Sequence, residues 1–483
     1  MNFKMTGRFI SQIIAIEGIF MLPALFISLG YAETPAVNAF LITLGILFVL
    51  GGSMYVLCRK AGKLFGAREG LVCVALSWIV MSLLGALPFV LSGQVPNYID
   101  ALFEIVSGFT TTGSSVISDI EGLYRGLLYW RSFSHWIGGM GVLVFLLAII
   151  PGTKGAGFTM HLLRAESPGP DVGKLVPRMR QTAMILYLIY IVLTIINILF
   201  LLFGKMDWLS ALCIAFGTAG TGGFGVMNDS LASATPYIQN VTTVFMFLFG
   251  INFSCFYLVL MGQFRNALKD EELRLYVGLA LACVVALVFS IRPLYDSLGE
   301  TIRHAAFQVS SIMTTTGFAS TDFDQWSGFA KSILLLLMVV GACAGSTGGG
   351  LKCIRVLLLF KVLGRNIRQI LNPQKVLVIR NNRKVVDEKV LSNVNAYLAA
   401  YIIIIVISTV LLSLDGFGLE TSLSASLATF NNIGPGLAAV GPTCTFGDFS
   451  VFSKLVMILC MWAGRLEIFP ILVLFSRSTW LRK

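Results

Sequence analysis

Four short stretches of this 483-residue chain end in glycine after a run of small or polar residues. Ala101-Leu-Phe-Glu-Ile-Val-Ser-Gly-Phe-Thr-Thr-Thr-Gly113 and Ala305-Ala-Phe-Gln-Val-Ser-Ser-Ile-Met-Thr-Thr-Thr-Gly317 agree at seven of thirteen positions. Thr218-Ala-Gly-Thr-Gly222 and Phe430-Asn-Asn-Ile-Gly434 are weaker versions of the same pattern. Glycine can turn its carbonyl in directions that a bulky residue cannot. Four such loops around one axis would give rings of carbonyl oxygens able to replace the water shell of a bare monovalent cation. The competing reading is that these are close-packing glycines between helices.

The elements that must hold these loops are apolar. The chain is 56% hydrophobic and 12% charged, with a mean hydropathy of +0.84. Soluble domains carry roughly 25% charge, so a soluble enzyme, a disordered chain and a fibrous protein are excluded. Spanning helices are expected at about 9–30, 37–58, 69–92, 127–150, 181–204, 237–262, 275–291, 329–360, 391–414 and 450–476. The four glycine-bearing segments fall between spans and are too short to cross a bilayer, so they read as re-entrant pieces. The plan is span, short helix, loop, span, written four times after two leading spans. An acid stands near the start of each short helix, Asp100, Asp207, Glu300 and Glu420. These acids either cap their helices or bias the dipole so that its negative end faces the loop.

The net charge of +11 follows the positive-inside pattern and does not point to nucleic acid. With the N-terminus inside, 27 of the 35 Lys and Arg fall on the inner side. The apolar run after Lys4 and Arg8 is longer than a signal-peptide core and reads as a retained first span. The nine scattered cysteines and three distant histidines form no metal motif or disulfide framework. An intramembrane enzyme would need paired acid–base groups, and the spans offer chiefly Glu17, Arg465 and Glu467.

The eighth span is too long and is interrupted by Gly341-Ala-Cys-Ala-Gly-Ser-Thr-Gly-Gly-Gly350. A phosphate loop would need Gly-Lys-[Ser/Thr], but Lys352 follows Leu351 and precedes Cys353. The stretch therefore reads as a break in the membrane, either a loop or a kinked helix. Arg465 is the one basic residue deep in a span. Such a charge faces a cavity or a partner, and Glu467 or the glycine loop is the expected local partner. It would place positive charge under the carbonyl rings and limit cation flux.

Gly108-Phe-Thr-Thr-Thr-Gly-Ser114, Thr221-Gly-Gly-Phe224, Thr314-Thr-Thr-Gly-Phe318, Asn431-Asn-Ile-Gly-Pro-Gly436, Gly345-Ser-Thr-Gly-Gly-Gly350 and Gly464-Arg-Leu-Glu-Ile-Phe469 carry a resemblance over nearly the whole chain. The sequence resembles the Trk/Ktr/HKT superfamily of potassium transporters, and within it the TrkH-type membrane subunit. The resemblance implies an all-α polytopic membrane protein in which one chain mimics a tetrameric potassium channel. It maps the filter glycines to Gly113, Gly222, Gly317 and Gly434. Ion-lining backbone would then include Thr111, Thr112, Gly220, Thr221, Thr315, Thr316, Asn432 and Ile433. Some plant relatives carry Ser at the first glycine and select sodium, whereas four glycines favour K+. The glycine-rich second loop and Ile433 depart from the repeated Thr-Thr-Gly. The gate would comprise Gly345, Ser346, Thr347, Gly348, Gly349, Gly350, Lys352 and Arg465.

The same resemblance implies five segments: leading helices 1–68, pore repeats 69–151, 152–262 and 263–390, and a last repeat with its tail, 391–483. It implies a bacterial cytoplasmic membrane location with both termini cytoplasmic, a homodimer, and a nucleotide-binding regulatory partner of the TrkA type. That partner would dock on the basic 361–390 segment or the proline-bearing 152–180 loop, and anionic lipid would attract the same basic residues. K+ uptake through this path would be channel-like, or coupled to H+ or Na+.

Overall fold

The computed structural model of the chain describes residues 3–59, 67–141 and 179–480. The second half of the fourth expected span and the 152–180 loop lie outside the described residues. The fold is an all-helical, multi-pass membrane architecture. Its strands among the described residues are one two-residue pair, Arg380–Asn381 with Lys384–Val385.

Helices Phe3–Gly30 and Thr34–Cys58 form a leading hairpin. Pro35 fits the second helix because a first-turn residue needs no backbone donor. The intervening turn also serves the rest of the fold. The Glu33 carboxylate accepts from Arg125 N at 2.6 Å and Gly126 N at 3.2 Å, so it caps helix Arg125–Gly139 from the far side of the chain.

Each of the four units then supplies a first helix, a short helix and a second helix, which is broken in the second, third and fourth units. The short helices are Tyr98–Phe109, Trp208–Gly220, Leu298–Met313 and Leu419–Phe430. Side chains of Asn97, Asp207 and Ser297 cap the first three by accepting from Ile99, Ser210 and Glu300 N–H groups. Of the four acids expected to cap or focus, Asp207 is thus a cap. Asp100 and Glu420 instead meet Lys454 at 2.7 Å and Lys331 at 3.1 Å, and Glu300 lies 3.7 Å from Arg303.

The second helices break in the second, third and fourth units, and in the first the described helix ends. Arg125–Gly139 ends before Gly141, whose φ is +78°. Pro236–Phe249 and Phe253–Leu260 meet at 91°. Gly328–Val339 and Cys353–Leu371 flank the glycine stretch. Val451–Arg465 stops before Glu467 and Ile468, both at positive φ, and Phe469–Phe475 resumes. Two runs read as continuous spans, 237–262 and 450–476, are therefore interrupted. Hydropathy registers composition, and it cannot see where the backbone ladder is cut. Irregular backbone is tolerated at this depth only where it packs in protein or lines water.

Candidate functional site

Four loops follow the C-terminal ends of the short helices and share one backbone path. In each, the N–H of the third loop residue reaches back five residues: Thr112 to Ser107 O, Gly222 to Gly217 O, Thr316 to Ser311 O and Ile433 to Ala428 O, at 2.8–2.9 Å. The residue before it is left-handed in every loop, with φ of +55° at Thr111, +54° at Thr221, +58° at Thr315 and +56° at Asn432. Each such residue costs of order 1 kcal/mol outside glycine. Four identical instances mark one geometry built four times.

The glycine that follows is Gly113, Gly223, Gly317 and Gly434, with φ of +82°, +78°, +87° and +107°. The second loop thus departs by one from the expected register. Gly223 takes the place of Gly113, Gly222 takes the place of Thr112, and Gly220, the counterpart of Thr110, is the last helical residue, so this short helix runs one residue further than the first. His135 explains the glycine at the third position. A Cβ on Gly222 would lie 2.1 Å from His135 Nδ1, so the imidazole fills the space a threonine side chain would use.

Close approaches between these loops close into a ring. A Cβ on Gly113 would lie 2.0 Å from Gly222 O, on Gly223 2.0 Å from Thr316 O, on Gly317 1.9 Å from Ile433 O, and on Gly434 3.0 Å from Thr112 O. Each glycine therefore packs on the third-position carbonyl of the next loop, in the order first, second, third, fourth, first. Ser114 Oγ donating to Gly434 O at 2.9 Å and Asn432 Nδ2 donating to Thr112 Oγ1 at 2.9 Å seal the fourth-to-first junction. A cavity of about 140 Å³ lies against all four glycines, lined also by Ser114, Asn228, Ser230 and Thr445.

The 341–352 loop presses on the opposite side. Gly349 N donates to Thr315 Oγ1 at 2.6 Å, and a Cβ on Gly349 would sit 2.4 Å from Asn431 O. The buried Lys352 ammonium donates to Gly348 O within the loop. Arg465 donates to Thr347 O at 2.8 Å, to Gly139 O at 2.7 Å and to Gly138 O. Thr347 Oγ1 donates to Phe249 O at 3.3 Å, and Cys343 N to Gly250 O at 3.1 Å. The end of helix Arg125–Gly139 and the breaks of the other three second helices are thereby bonded into one layer under the ring.

Residues 36–480 match the TrkH family, described as cation transport proteins. The chain belongs to this family. It is 34% identical to the Trk system potassium uptake protein TrkH of Salmonella typhimurium over 99% of this chain and the whole of that protein. It is 33% identical to the Escherichia coli K12 potassium uptake protein TrkG over 95% of each. The crystal structure of the potassium transporter TrkH from Vibrio parahaemolyticus matches over the full length of both chains, with a TM-score of 0.88 and 31% identity.

Within this TrkH-family chain, the charged residues show which of two expected partners Arg465 takes, and one pair that was not expected. Arg465 does bond the glycine loop, as expected, but Glu467 pairs instead with Arg355 at 2.7 Å. Glu467 itself stands at a φ of +56°, just past the end of helix Val451–Arg465. The pair the sequence did not reveal is Glu104 and Arg131, fully buried and 2.5 Å apart. Glu104 also accepts from Ser115 Oγ at 3.0 Å and Val116 N at 3.0 Å. Arg131 donates to Gly225 O at 3.0 Å and lies 3.5 Å from the centre of the Phe224 ring. The pair ties the outgoing strands of the first and second loops together behind the ring. A charge inside a pore segment and another inside a span were the only available signal. Glu104→Leu should lower stability by about 3–5 kcal/mol by stranding a buried guanidinium, read as a reduced melting temperature in detergent.

Proposed function

We propose that this chain carries potassium into the cell through a channel-like path, with the ring of third- and fourth-position backbone as its filter and the 341–352 layer as its barrier. The observation that carries the reading is the closed cycle of glycine-to-carbonyl contacts among four loops with one dihedral pattern. Such a ring offers backbone oxygens at matched height, the chemistry that replaces potassium's hydration shell. The relatives named as potassium uptake proteins support K+ as the transported ion. The filter backbone comprises Thr111, Thr112 and Gly113; Thr221, Gly222 and Gly223; Thr315, Thr316 and Gly317; and Asn432, Ile433 and Gly434. The barrier comprises Gly345 to Gly350, Lys352 and Arg465.

The five-segment division, from the leading helices to the fourth repeat, follows this plan. A cytoplasmic membrane location with both termini inside follows from the distribution of basic residues. The basic stretch around 361–390 is the proposed docking face for a soluble regulatory partner of the TrkA type, and two copies of the chain would pair as a homodimer.

Purified protein in liposomes tests the mode of transport. Current through a pore reverses at the potassium equilibrium potential at any proton or sodium gradient; a reversal that moves with either gradient would identify coupled symport. The register of the second loop has its own test in rubidium uptake by cells lacking other potassium transport. Gly222→Ala alone should fail, and His135→Ala should restore much of its uptake by vacating the occupied space. Gly223→Ala should stay inactive with His135→Ala, because its Cβ would meet backbone, 2.0 Å from Thr316 O, at a φ of +78°.

A further inference from the structure

Three consecutive acids open helix Glu271–Ile291; the first two face the 380–385 hairpin and the third faces the protein interior. Asp270 caps the helix by accepting from Leu273 N at 2.9 Å. Its other oxygen accepts from Asn382 Nδ2 at 2.7 Å. Glu271 accepts from Asn382 N at 3.1 Å, and its own N–H donates to Asn382 Oδ1 at 2.9 Å. Its second oxygen pairs with Lys361, which also donates to Arg380 O at 2.7 Å. Glu272 points the opposite way, into the protein, and is only 5% exposed. One of its oxygens accepts from Ala344 N at 2.6 Å and from Ile354 N at 3.0 Å.

Ala344 and Ile354 stand on the two legs of the glycine stretch. A single carboxylate oxygen therefore pins both legs of the 341–352 loop together. The legs are also joined by Gly341 N donating to Leu351 O at 3.0 Å, but that bond lies within the loop and moves with it. Glu272 ties both legs to the start of a separate helix, in addition to the loop's bonds to Phe249, Gly250, Thr315 and Arg465.

That helix start is itself held from outside. Asn382 and Arg383 are the two central residues of a tight hairpin, at φ of +48° and +66°. Positive φ at both central positions gives the turn whose twist matches its flanking strands, so Asn382 is presented rigidly. It is exposed, yet it makes three hydrogen bonds to Asp270 and Glu271. The hairpin fixes the helix start, and the helix start fixes Glu272.

We propose that Glu272 is the positioning residue that holds the 341–352 loop in its obstructing place, and that the 380–385 hairpin acts as its external brace. The proposal rests on the reading of that loop as the barrier. It makes the barrier's position depend on a contact at the protein's exposed rim.

The test uses the full chain in liposomes with two readouts. One is rubidium flux. The other is the rate at which a small thiol reagent labels Cys343 and Cys353, located by mass spectrometry; both cysteines lie in the loop region and are buried. Glu272→Leu removes the shared acceptor. Labelling of both cysteines should become at least about tenfold faster, the lower end of what losing two hydrogen bonds implies, and flux should rise with it. Glu272→Gln keeps an acceptor oxygen and should return both readouts towards the native values. Asn382→Ala, in an exposed turn, should shift both in the direction of Glu272→Leu by a smaller amount, and the double variant should show less than the sum. Native labelling and native flux in both Glu272→Leu and Asn382→Ala would overturn the proposal. Faster labelling at native flux would overturn the barrier reading instead, since the loop would then have moved without consequence for ions.

Discussion

Replacing Gly317 with alanine should abolish selective potassium uptake while leaving the protein folded in the membrane. Two effects act on the same atom. Gly317 has a φ of +87°, where an L side chain is strained, and the new methyl would lie 1.9 Å from Ile433 O. That carbonyl must turn away or the third and fourth loops must part. A hydrogen bond involving a charged group is worth about 1.5–3 kcal/mol, and one misdirected oxygen facing an ion forfeits a comparable amount. Discrimination against sodium should fall by about tenfold or more, since 1.4 kcal/mol corresponds to a factor of ten. Competition between rubidium and sodium in liposome uptake measures it. Uptake with native selectivity would show that the ring does not contact the ion.

Removing the guanidinium at Arg465 should have the opposite sign. The side chain bonds Thr347 O on one neighbour and Gly138 and Gly139 O on another, so on the proposed reading it would both fix the barrier and charge it. Unit charges at contact distance repel by about 1–4 kcal/mol between the limits of water and a partly polar interior. Arg465→Ala should therefore raise rubidium flux by roughly tenfold, with part of the gain coming from a looser Thr347. Arg465→Lys should lie between, because an ammonium keeps the charge but cannot reach three carbonyls with the same planar fork. Native flux in well-folded Arg465→Ala protein would remove this arginine from the barrier.

How much of this was legible in the sequence depends on what each signal records. The first and third loops were readable because Thr-Thr-Thr-Gly repeats residue for residue, and the helices before them repeat with it. The second loop was readable as a member of the set but not in register. Gly220-Thr-Gly-Gly offers three glycines for one position, and only the backbone dihedrals and the His135 contact decide among them. The break at Gly341–Gly350 announced itself by composition. The break after Phe249 did not, because Gly250-Ile-Asn252 sits in a run that remains apolar on average. Its signal was Asn252, whose side chain accepts from Ser254 N at 2.9 Å and starts a new helix. Glu104 and Arg131 were each visible as charges in apolar surroundings, but nothing local joins residues that far apart. The same holds for Glu272, which resembles an ordinary acid in a first helical turn until the fold carries Ala344 and Ile354 to it.

The bond from Gly349 N to the Thr315 hydroxyl has a consequence for how speed and fidelity trade against each other. If the ring selects and the loop obstructs, as proposed, the plug is fastened to the sieve: withdrawing it would free one hydroxyl at the ring's inner rim, and the third quarter of the selecting surface would relax whenever the passage clears. A Thr315→Val substitution would sever that fastening without touching any main-chain oxygen, leaving turnover and ionic preference free to vary independently.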